Sequence, residues 1–235
     1  MKKGKTIFFT LLISLMSLSS YATWSIIVID PVTKQIGIAG ASCTFSVYGI
    51  GGIIPGKGAI IVQAMSNKFA KYEGLRMMMA DASPDSILQY LKDAKFDPEE
   101  QQYAIVCMND INKPAVYTGK LTTPYKGALT AKGISVQGNT LSSDDELQVV
   151  LNAALKAQHD SLSLEEVLMR ALEAGSQAGG DKRCGAQKAS SAFLTVTKPN
   201  DSPDHPFLNL VVNGTEDPIN AVEALRKKLI AWKIK

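Results

Sequence analysis

Apolar residues in this chain are concentrated in short runs, and the spacing within each run predicts its secondary structure. The run TWSIIVID at 23–30 is apolar on both alternating faces, which is typical of a strand covered on both sides. A short turn and the run QIGIAGASCTF at 35–45 predict a second strand that forms a hairpin with the first. A glycine-rich loop, GIGGIIPGKG, then leads to a third buried strand, AIIVQAM at 59–65.

The rest of the chain alternates between helical and extended patterns. Helices are predicted at 67–81 and from Ser83, which is a suitable N-cap. Strands follow at QYAIVCMN, PAVYTG and GISVQGN. Two further helices come next, and Ser143 with Glu146 matches a capping box at the start of the first one. Strands SAFLTVT and FLNLVVN precede a C-terminal helix that is predicted to open at Asp217.

This order of elements predicts the fold class. Strands joined by short turns indicate antiparallel sheets, and strands that are apolar on both faces require cover on both sides. We therefore expect an α+β protein in which two central sheets lie between helical layers.

The first 22 residues have the pattern of a secretory signal peptide. Lys2, Lys3 and Lys5 precede an apolar stretch, TIFFTLLISLM. Ser20 and Ala22 place small residues at positions −3 and −1 of a cleavage site. The apolar stretch is shorter than the roughly 20 residues of a spanning helix, which disfavours an uncleaved anchor. We expect cleavage after Ala22 and export to the periplasm or beyond.

Composition and charge narrow the range of partners. The three leader lysines account for the formal net charge of +3, so the exported chain at 23–235 is balanced, and nucleic acid is not expected as a partner. Its length fits a single domain, and no contact with a membrane is expected after cleavage. No nucleotide-binding motif is present, so no cofactor is expected. His159 and His205 are isolated, so no metal site is expected.

Three cysteines become important if the chain is exported, because the compartment is oxidising. Cys107 lies inside an apolar strand and is predicted to be a buried thiol. Cys43 and Cys184 lie where strands meet polar, glycine-containing segments. If one disulfide forms, the expected pair is Cys43–Cys184.

The candidate chemistry begins with the residue that follows the predicted cleavage site. The chain contains no G-x-S-x-G and no H-E-x-x-H motif, and its two histidines give little support to a Ser-His-Asp triad. Cleavage after Ala22 leaves Thr23 with a free α-amine beside its hydroxyl. An α-amine has an ordinary pKa of roughly 7.7–8.0, which suits a general base, so one residue would supply both nucleophile and base. The alternative is that cleavage leaves a threonine by coincidence.

Short motifs over essentially the whole exported chain are shared with one bacterial family. The most specific is SVQGN at 135–139, and the opening TWSIIVIDP is a second. The others are Ala41-Ser42, Gln63-Ala64 followed by Asn67, and Gly179-Gly180-Asp181 followed by Arg183 and Gln187. With these motifs the chain resembles the family called domain of unknown function 1028 (DUF1028), which is identified as a member of the N-terminal nucleophile (Ntn) hydrolase superfamily.

The resemblance implies a fold and a reaction. The fold is a four-layer αββα sandwich with two mainly antiparallel sheets, and Thr23 is the nucleophile at the end of one of them. By superfamily analogy the reaction is hydrolysis of an amide C–N bond through an acyl-enzyme ester. Proteasome-type members carry an Asp shortly after the second strand and a Lys on the next strand. Here AGASCTF contains no acid, and Lys57 matches the lysine only approximately.

The matched polar residues receive candidate roles on the same basis. Gln137 or Asn139 would donate to the developing oxyanion, and Asp181 would orient the α-amine or the substrate. Further candidates for substrate binding are Ser42, Gln63 and Asn67. The alternative for all six is hydrogen bonding that stabilises turns and loops.

A second class of function remains open at this point. A non-catalytic protein with the same fold would use the same pocket to hold a small ligand. In both cases the expected partner is a small molecule, and edge strands with an exposed C-terminal helix are compatible with a homodimer.

Overall fold

The computed structural model describes residues 23–234, which form ten β-strands and five α-helices. The predicted signal peptide at 1–22 lies outside the described residues. The strands are β1 (Thr23–Ile29), β2 (Ile36–Ser42), β3 (Gly51–Ile54), β4 (Gly58–Ala64), β5 (Gln101–Cys107), β6 (Ala115–Thr118), β7 (Gly127–Ala131), β8 (Ile134–Asn139), β9 (Ser191–Thr197) and β10 (Leu208–Val212). The helices are α1 (Lys68–Met79), α2 (Pro84–Leu91), α3 (Glu146–His159), α4 (Leu164–Ala178) and α5 (Ala221–Lys233).

The strands form two sheets. The first sheet has the order β10-β9-β2-β1-β8-β7, and the second has the order β3-β4-β5-β6. All the pairings between these strands are antiparallel. The predicted α+β class with two antiparallel sheets is therefore confirmed. Strand β1 lies in the interior of its sheet, between β2 and β8.

Three apolar clusters show how the sheets and helices pack. Trp24 and Ile26 of β1 belong to a cluster shared with α3, α4 and α5. Ile27 and Ile29, on the opposite face of β1, belong to a cluster shared with β4 and β5 of the second sheet. The outer face of the second sheet, which includes Ile60, packs against α1 and α2. The two-sided apolar pattern of β1 is explained because both of its faces are buried.

The glycine-rich segment at 49–58 differs from the prediction of a loop, because it contains strand β3. Close packing explains its composition. A Cβ atom at Gly52 would lie 2.7 Å from Leu75 of α1, and one at Gly51 would lie 2.8 Å from Ile38 of β2. Strand β7 was also not predicted, since its five residues are only partly buried and lack a strong apolar alternation.

Two predicted helix starts are wrong. Helix α3 begins at Glu146 rather than after Ser143, and the Glu146 carboxylate instead accepts from the backbone N–H of Ser142 at 3.3 Å. The C-terminal helix begins at Ala221 rather than at Asp217, because the side chain of the preceding residue, Asn220, caps it.

The cysteines follow the prediction. Cys43 and Cys184 form a disulfide with a Cα–Cα distance of 5.5 Å, which joins the end of β2 to the turn at 182–187. Cys107 is a buried free thiol, and its burial raises its pKa to about 12. Within residues 23–234, every helix is too short or too polar to cross a membrane.

Candidate functional site

A row of polar side chains lies at the start of β1. Thr23 is opposite Ser42 of β2 on one side and opposite Asn139 of β8 on the other. Ser42 is in turn opposite Ser191 of β9. Directly opposed residues of antiparallel strands share a face, so the four side chains point into the layer between the two sheets. All four are buried.

Behind this row lies a buried cluster of amide and hydroxyl groups, which we call the inter-sheet amide network. Its members come from both sheets and are each at most 1 % exposed. They are Ser25, Gln63, Gln102, Ser135, Gln137 and Asn139. Polar groups that are removed from water require partners, and within this network each side chain has at least one.

Gln63 and Gln102 connect the sheets within this network. Ser25 of the first sheet donates to Gln63 Oε1 at 2.6 Å, and Gln63 Nε2 donates to Gln102 Oε1 at 2.9 Å. Asn139 Nδ2 also donates to Gln102 Oε1, at 2.8 Å. Gln102 Nε2 returns to the first sheet by donating to the carbonyl of Gly138 at 2.8 Å. The network therefore holds the two sheets at a fixed separation next to Thr23.

Gln63 also contacts the candidate nucleophile directly. Its Nε2 donates to the backbone carbonyl of Thr23 at 3.3 Å. Thr23 is thus held by the β-ladders on two sides and by the second sheet from below. Such support from packed neighbours is what a catalytic side chain needs to keep its orientation.

Asp181 lies beside this row and is fully buried. Its carboxylate accepts from the backbone N–H of Cys43 at 2.6 Å and from the Arg183 guanidinium at 2.7 Å. The N–H of Arg183 donates to it at 3.0 Å. Arg183 Nη2 lies 3.5 Å from Ser42 Oγ. Asp181 therefore fixes the end of β2 and reaches the Thr23 row through Arg183 and Ser42.

This arrangement brings a distant acid to the end of β2. The segment after β2 contains no carboxylate of its own, and the Asp181 side chain bonds to the backbone N–H of Cys43, the first residue after β2. The Cys43–Cys184 disulfide joins the same two segments covalently.

A cavity of about 510 Å³ opens beside Thr23. Its lining includes Thr23 and Gln63, together with residues that follow β2 and the first turns of α1. Cavities of about 300–1,000 Å³ hold small organic ligands. Thr23, the first residue of β1, therefore lines a cavity of ligand size.

The predicted site residues separate into two groups. Ser42, Gln63 and Asn139 surround Thr23, and Asp181 is linked to Ser42 through Arg183. Of the predicted site residues, Thr23 and Gln63 line the cavity, and Ser42, Asn139, Asp181, Gln137 and Asn67 do not.

Gln137 and Asn67 have structural contacts instead. Gln137 is inside the amide network, where it bonds to Ser25 at 2.6 Å and to Ser135 at 2.8 Å. Asn67 caps α1 by accepting from the N–H of Ala70 at 3.1 Å. The hydrogen bonds of Gln137 and Asn67 therefore stabilise the fold, as in the alternative given for these residues in the sequence analysis.

Lys57 does not reach the site. It lies at the turn between β3 and β4, at the opposite end of β4 from Gln63, and forms an ion pair with Asp81 at 2.9 Å. The approximate match of Lys57 to the superfamily lysine is therefore wrong.

Sequence reasoning missed three residues of the site. Gln102 is the centre of the amide network, and the available signal was a glutamine on the inward face of an apolar strand, in register with Gln63. Lys71 and Tyr72 line the cavity from α1. The sequence predicts their helix but does not show which of its faces borders the cavity.

A buried carboxyl group lies on the helical side of this region. Glu146 is fully buried, and one of its oxygens has no hydrogen-bond partner. Burial raises its pKa to about 8, and the charge of Asp181 adds to the rise. At neutral pH Glu146 is therefore mostly protonated.

Metal ligation has no support in this region. Within residues 23–234, no group of three or more His, Cys, Asp or Glu side chains is arranged to hold a metal ion.

The α+β fold with two antiparallel sheets is shared with the crystal structure of protein SPO2555 from Silicibacter pomeroyi, which is described with the family model DUF1028. The TM-score is 0.75 at 23% identity, over 89% of this chain and 88% of that one. The model of the family described as "Family of unknown function (DUF1028)" matches residues 23–222. The chain therefore belongs to the DUF1028 family, and no curated protein matches it.

Proposed function

We propose that the protein is an exported Ntn-type hydrolase that cleaves an amide C–N bond with Thr23 as nucleophile. The observation that carries the proposal is the position of Thr23. It is the first residue after the predicted cleavage site, it begins an interior strand, and it lines the cavity of about 510 Å³.

The packing of the molecule supports assignment to the Ntn superfamily. Helices α3, α4 and α5 cover the first sheet, the two sheets face each other, and α1 and α2 cover the second sheet. We interpret this order as the four-layer αββα sandwich of that superfamily, with residues 23–235 as one domain. The match of the family model begins at Thr23, which agrees with the same interpretation.

The proposed reaction begins with the hydroxyl of Thr23. Its oxygen attacks the amide carbonyl carbon, and its proton passes to the free α-amine of the same residue. Asn139 Nδ2 carries a second hydrogen besides the one directed at Gln102. This group, opposite Thr23 in the ladder, is the candidate donor to the oxyanion.

Breakdown of the tetrahedral intermediate completes the first half of the reaction. The C–N bond breaks, and the α-ammonium returns the proton to the leaving amine. An ester between Thr23 and the acyl group remains, and water hydrolyses it with the same α-amine as base. Asp181 acts as a positioning residue, since its carboxylate already accepts hydrogen bonds from Cys43 and Arg183.

Processing of the leader is a condition of this chemistry. Before cleavage the nitrogen of Thr23 is an amide, which cannot accept a proton. Signal peptidase would therefore activate the enzyme at the moment of export, and the active protein would be periplasmic or secreted.

One observation favours the alternative of a non-catalytic ligand-binding protein. The lysine that proteasome-type members place near their threonine has no counterpart at Lys57, which pairs with Asp81 instead. In that case the same cavity would hold a small molecule without turnover.

A screen of the exported protein tests the proposal. N-terminal sequencing should find Thr23 first, and a panel of amide, lactam, acyl-amino-acid and ureido compounds should contain substrates. A processed protein that binds compounds from the panel and hydrolyses none of them would favour the binding alternative.

A further inference from the structure

The Thr23 cavity adjoins a second cavity, and together they form an extended groove. The second cavity has a volume of about 540 Å³. The two share Tyr48, Gly49, Lys71 and Tyr72 in their linings. Lys71 therefore lies at the junction of the two halves.

The half that contains Thr23 is positively charged. Lys68 and Lys71 line it, and the described residues of its lining include no Asp or Glu. The Lys71 ammonium donates to the carbonyl of Gly49 and lies 5.3 Å from the ring centre of Tyr72. Within residues 23–234 it has no carboxylate partner, and burial lowers its pKa, with repulsion from Lys68 as a second cause. A partly buried cation without a counter-charge is stabilised by an anionic ligand.

The far half of the groove is lined by apolar side chains together with the uncharged polar residues Thr195, Thr197 and Asn209. Ile53, Leu75 and Phe193 line it, and Asp204 is the one carboxylate among its described lining residues. Exposed aromatic side chains border the Thr23 half of the groove. Phe45 is 78% exposed between the lining residues Thr44 and Ser46, and Phe69 is 78% exposed next to Lys68. An extended apolar group of a ligand fits this half.

From this charge and shape we propose that the ligand is an N-acylated amino acid, with the proposed function supplying the reaction. The free carboxylate, close to the scissile amide, binds Lys71 with help from Lys68. The acyl chain passes the junction and lies in the far half, against Ile53, Leu75 and Phe193. In the reaction, the acyl carbon forms a bond with Thr23 Oγ and the amide C–N bond breaks. The free amino acid leaves with the proton from the α-amine, and water then releases the carboxylic acid.

A binding measurement without turnover tests this inference. The exported Thr23→Ala protein is titrated calorimetrically with N-octanoylglycine and with its uncharged analogue, N-octanoylglycinamide. We expect the acid to bind at least about 10-fold more tightly than the amide, because only the acid offers a negative charge to Lys71.

Substitutions of lysine locate the source of this preference. In the Thr23→Ala background, Lys71→Gln should reduce the preference to about 2-fold or less, while Lys71→Arg should keep most of it. Lys227→Gln is the matched control, since Lys227 is an exposed helical lysine on α5 outside both cavities. It should leave the preference unchanged.

Three results would overturn the ligand class. They are equal binding of acid and amide, no measurable binding of either at millimolar concentration, and a preference that survives Lys71→Gln. The proposed hydrolase function fails separately. If the protein with Thr23 intact binds N-octanoylglycine selectively but never cleaves it, the ligand class stands and the reaction does not.

Discussion

The layer between the two sheets has two ends of opposite character. At one end, Ile27 and Ile29 of β1 pack against Ile61 and Val106 of the second sheet. At the other end, two to four residues earlier on the same face of β1, Ser25 and Thr23 face the amide network. One strand thus contributes both an apolar core and a polar site, with the change made between positions 25 and 27.

The difference between these ends shows how the fold holds a reactive group without losing its core. Apolar burial at the closed end contributes stability roughly in proportion to area. The polar end gains little from burial, because each amide gives up bonds to water. Its groups are paired across the sheets, which makes the geometry specific. We expect stability and activity to respond differently to changes at the two ends.

The largest effect is expected on turnover when the first residue of β1 is changed. Thr23→Ala removes the nucleophile and should reduce turnover by at least about a thousand-fold. Thr23→Ser keeps a hydroxyl and should retain measurable activity. Neither change should alter the free energy of unfolding by more than about 1 kcal/mol. Steady-state kinetics and urea unfolding of both variants check this, and full activity of the alanine variant would contradict it.

The second effect concerns the covalent link beside the polar end. Removal of the disulfide by the double change Cys43→Ser and Cys184→Ser should lower the free energy of unfolding by about 2–4 kcal/mol. It should also lower turnover, because only hydrogen bonds then hold the end of β2 to the Asp181 segment. Cys107→Ala is the control, because it removes the free thiol and keeps the disulfide. This variant should remain sensitive to reductant. Unchanged kinetics of the double variant would contradict a role of the disulfide in the site.

A matched pair on β4 compares the two ends directly. Gln63 and Ile61 are two residues apart and share the inward face. Gln63→Leu removes the acceptor of the Ser25 hydroxyl and the donor to the Thr23 carbonyl and to Gln102, which should cost about 1–3 kcal/mol and reduce turnover. Ile61→Val should cost about 0.5–1.5 kcal/mol with turnover unchanged. If both variants lose stability and keep full activity, the amide network does not position Thr23.

The smallest effect is a pH dependence of stability from Glu146. Its pKa is about 8 in the folded protein, raised chiefly by burial, whereas an unfolded glutamate titrates near 4.3. Between these values the folded state holds a proton that the unfolded state has lost, so this group makes stability fall as pH rises towards 8.

Glu146→Gln should remove that component. Between pH 6 and pH 7 the free energy of unfolding of the unsubstituted protein should fall, relative to the variant, by up to about 1.4 kcal/mol. Glu223→Gln on the exposed face of α5 is the control. Identical pH profiles for the protein and the Glu146→Gln variant would show that Glu146 titrates normally.

Much of the fold follows from local patterns in the sequence. Burial on both faces of β1 matches the apolar run at 23–29. The N-cap at Ser83 and the buried thiol of Cys107 depend on residues close to them in the sequence. Strand β3 could not be predicted, because its glycines are required by packing against Ile38 and Leu75, contacts that only the tertiary structure contains.

Part of the candidate site could be predicted from the sequence. The cleavage pattern predicts Thr23, and the family motifs predict Ser42, Gln63, Asn139 and Asp181, but the hydrogen bonds among them depend on register between distant strands. Gln102 meets Gln63 because β4 and β5 pair with that register. Asp181 contacts the end of β2 because a segment 138 residues later in the chain folds back onto Cys43. Contacts between residues so far apart in sequence leave no local pattern.

The most direct test of the account is the chemical reactivity of the processed first residue. The exported protein is incubated with a β-lactone, and its intact mass and N-terminal peptide are measured. We expect the chain to begin at Thr23 and to gain one acyl adduct there, whereas the Thr23→Ala variant gains none. A chain that begins at any other residue, or a Thr23 that stays unmodified under conditions that acylate other nucleophiles, would contradict it.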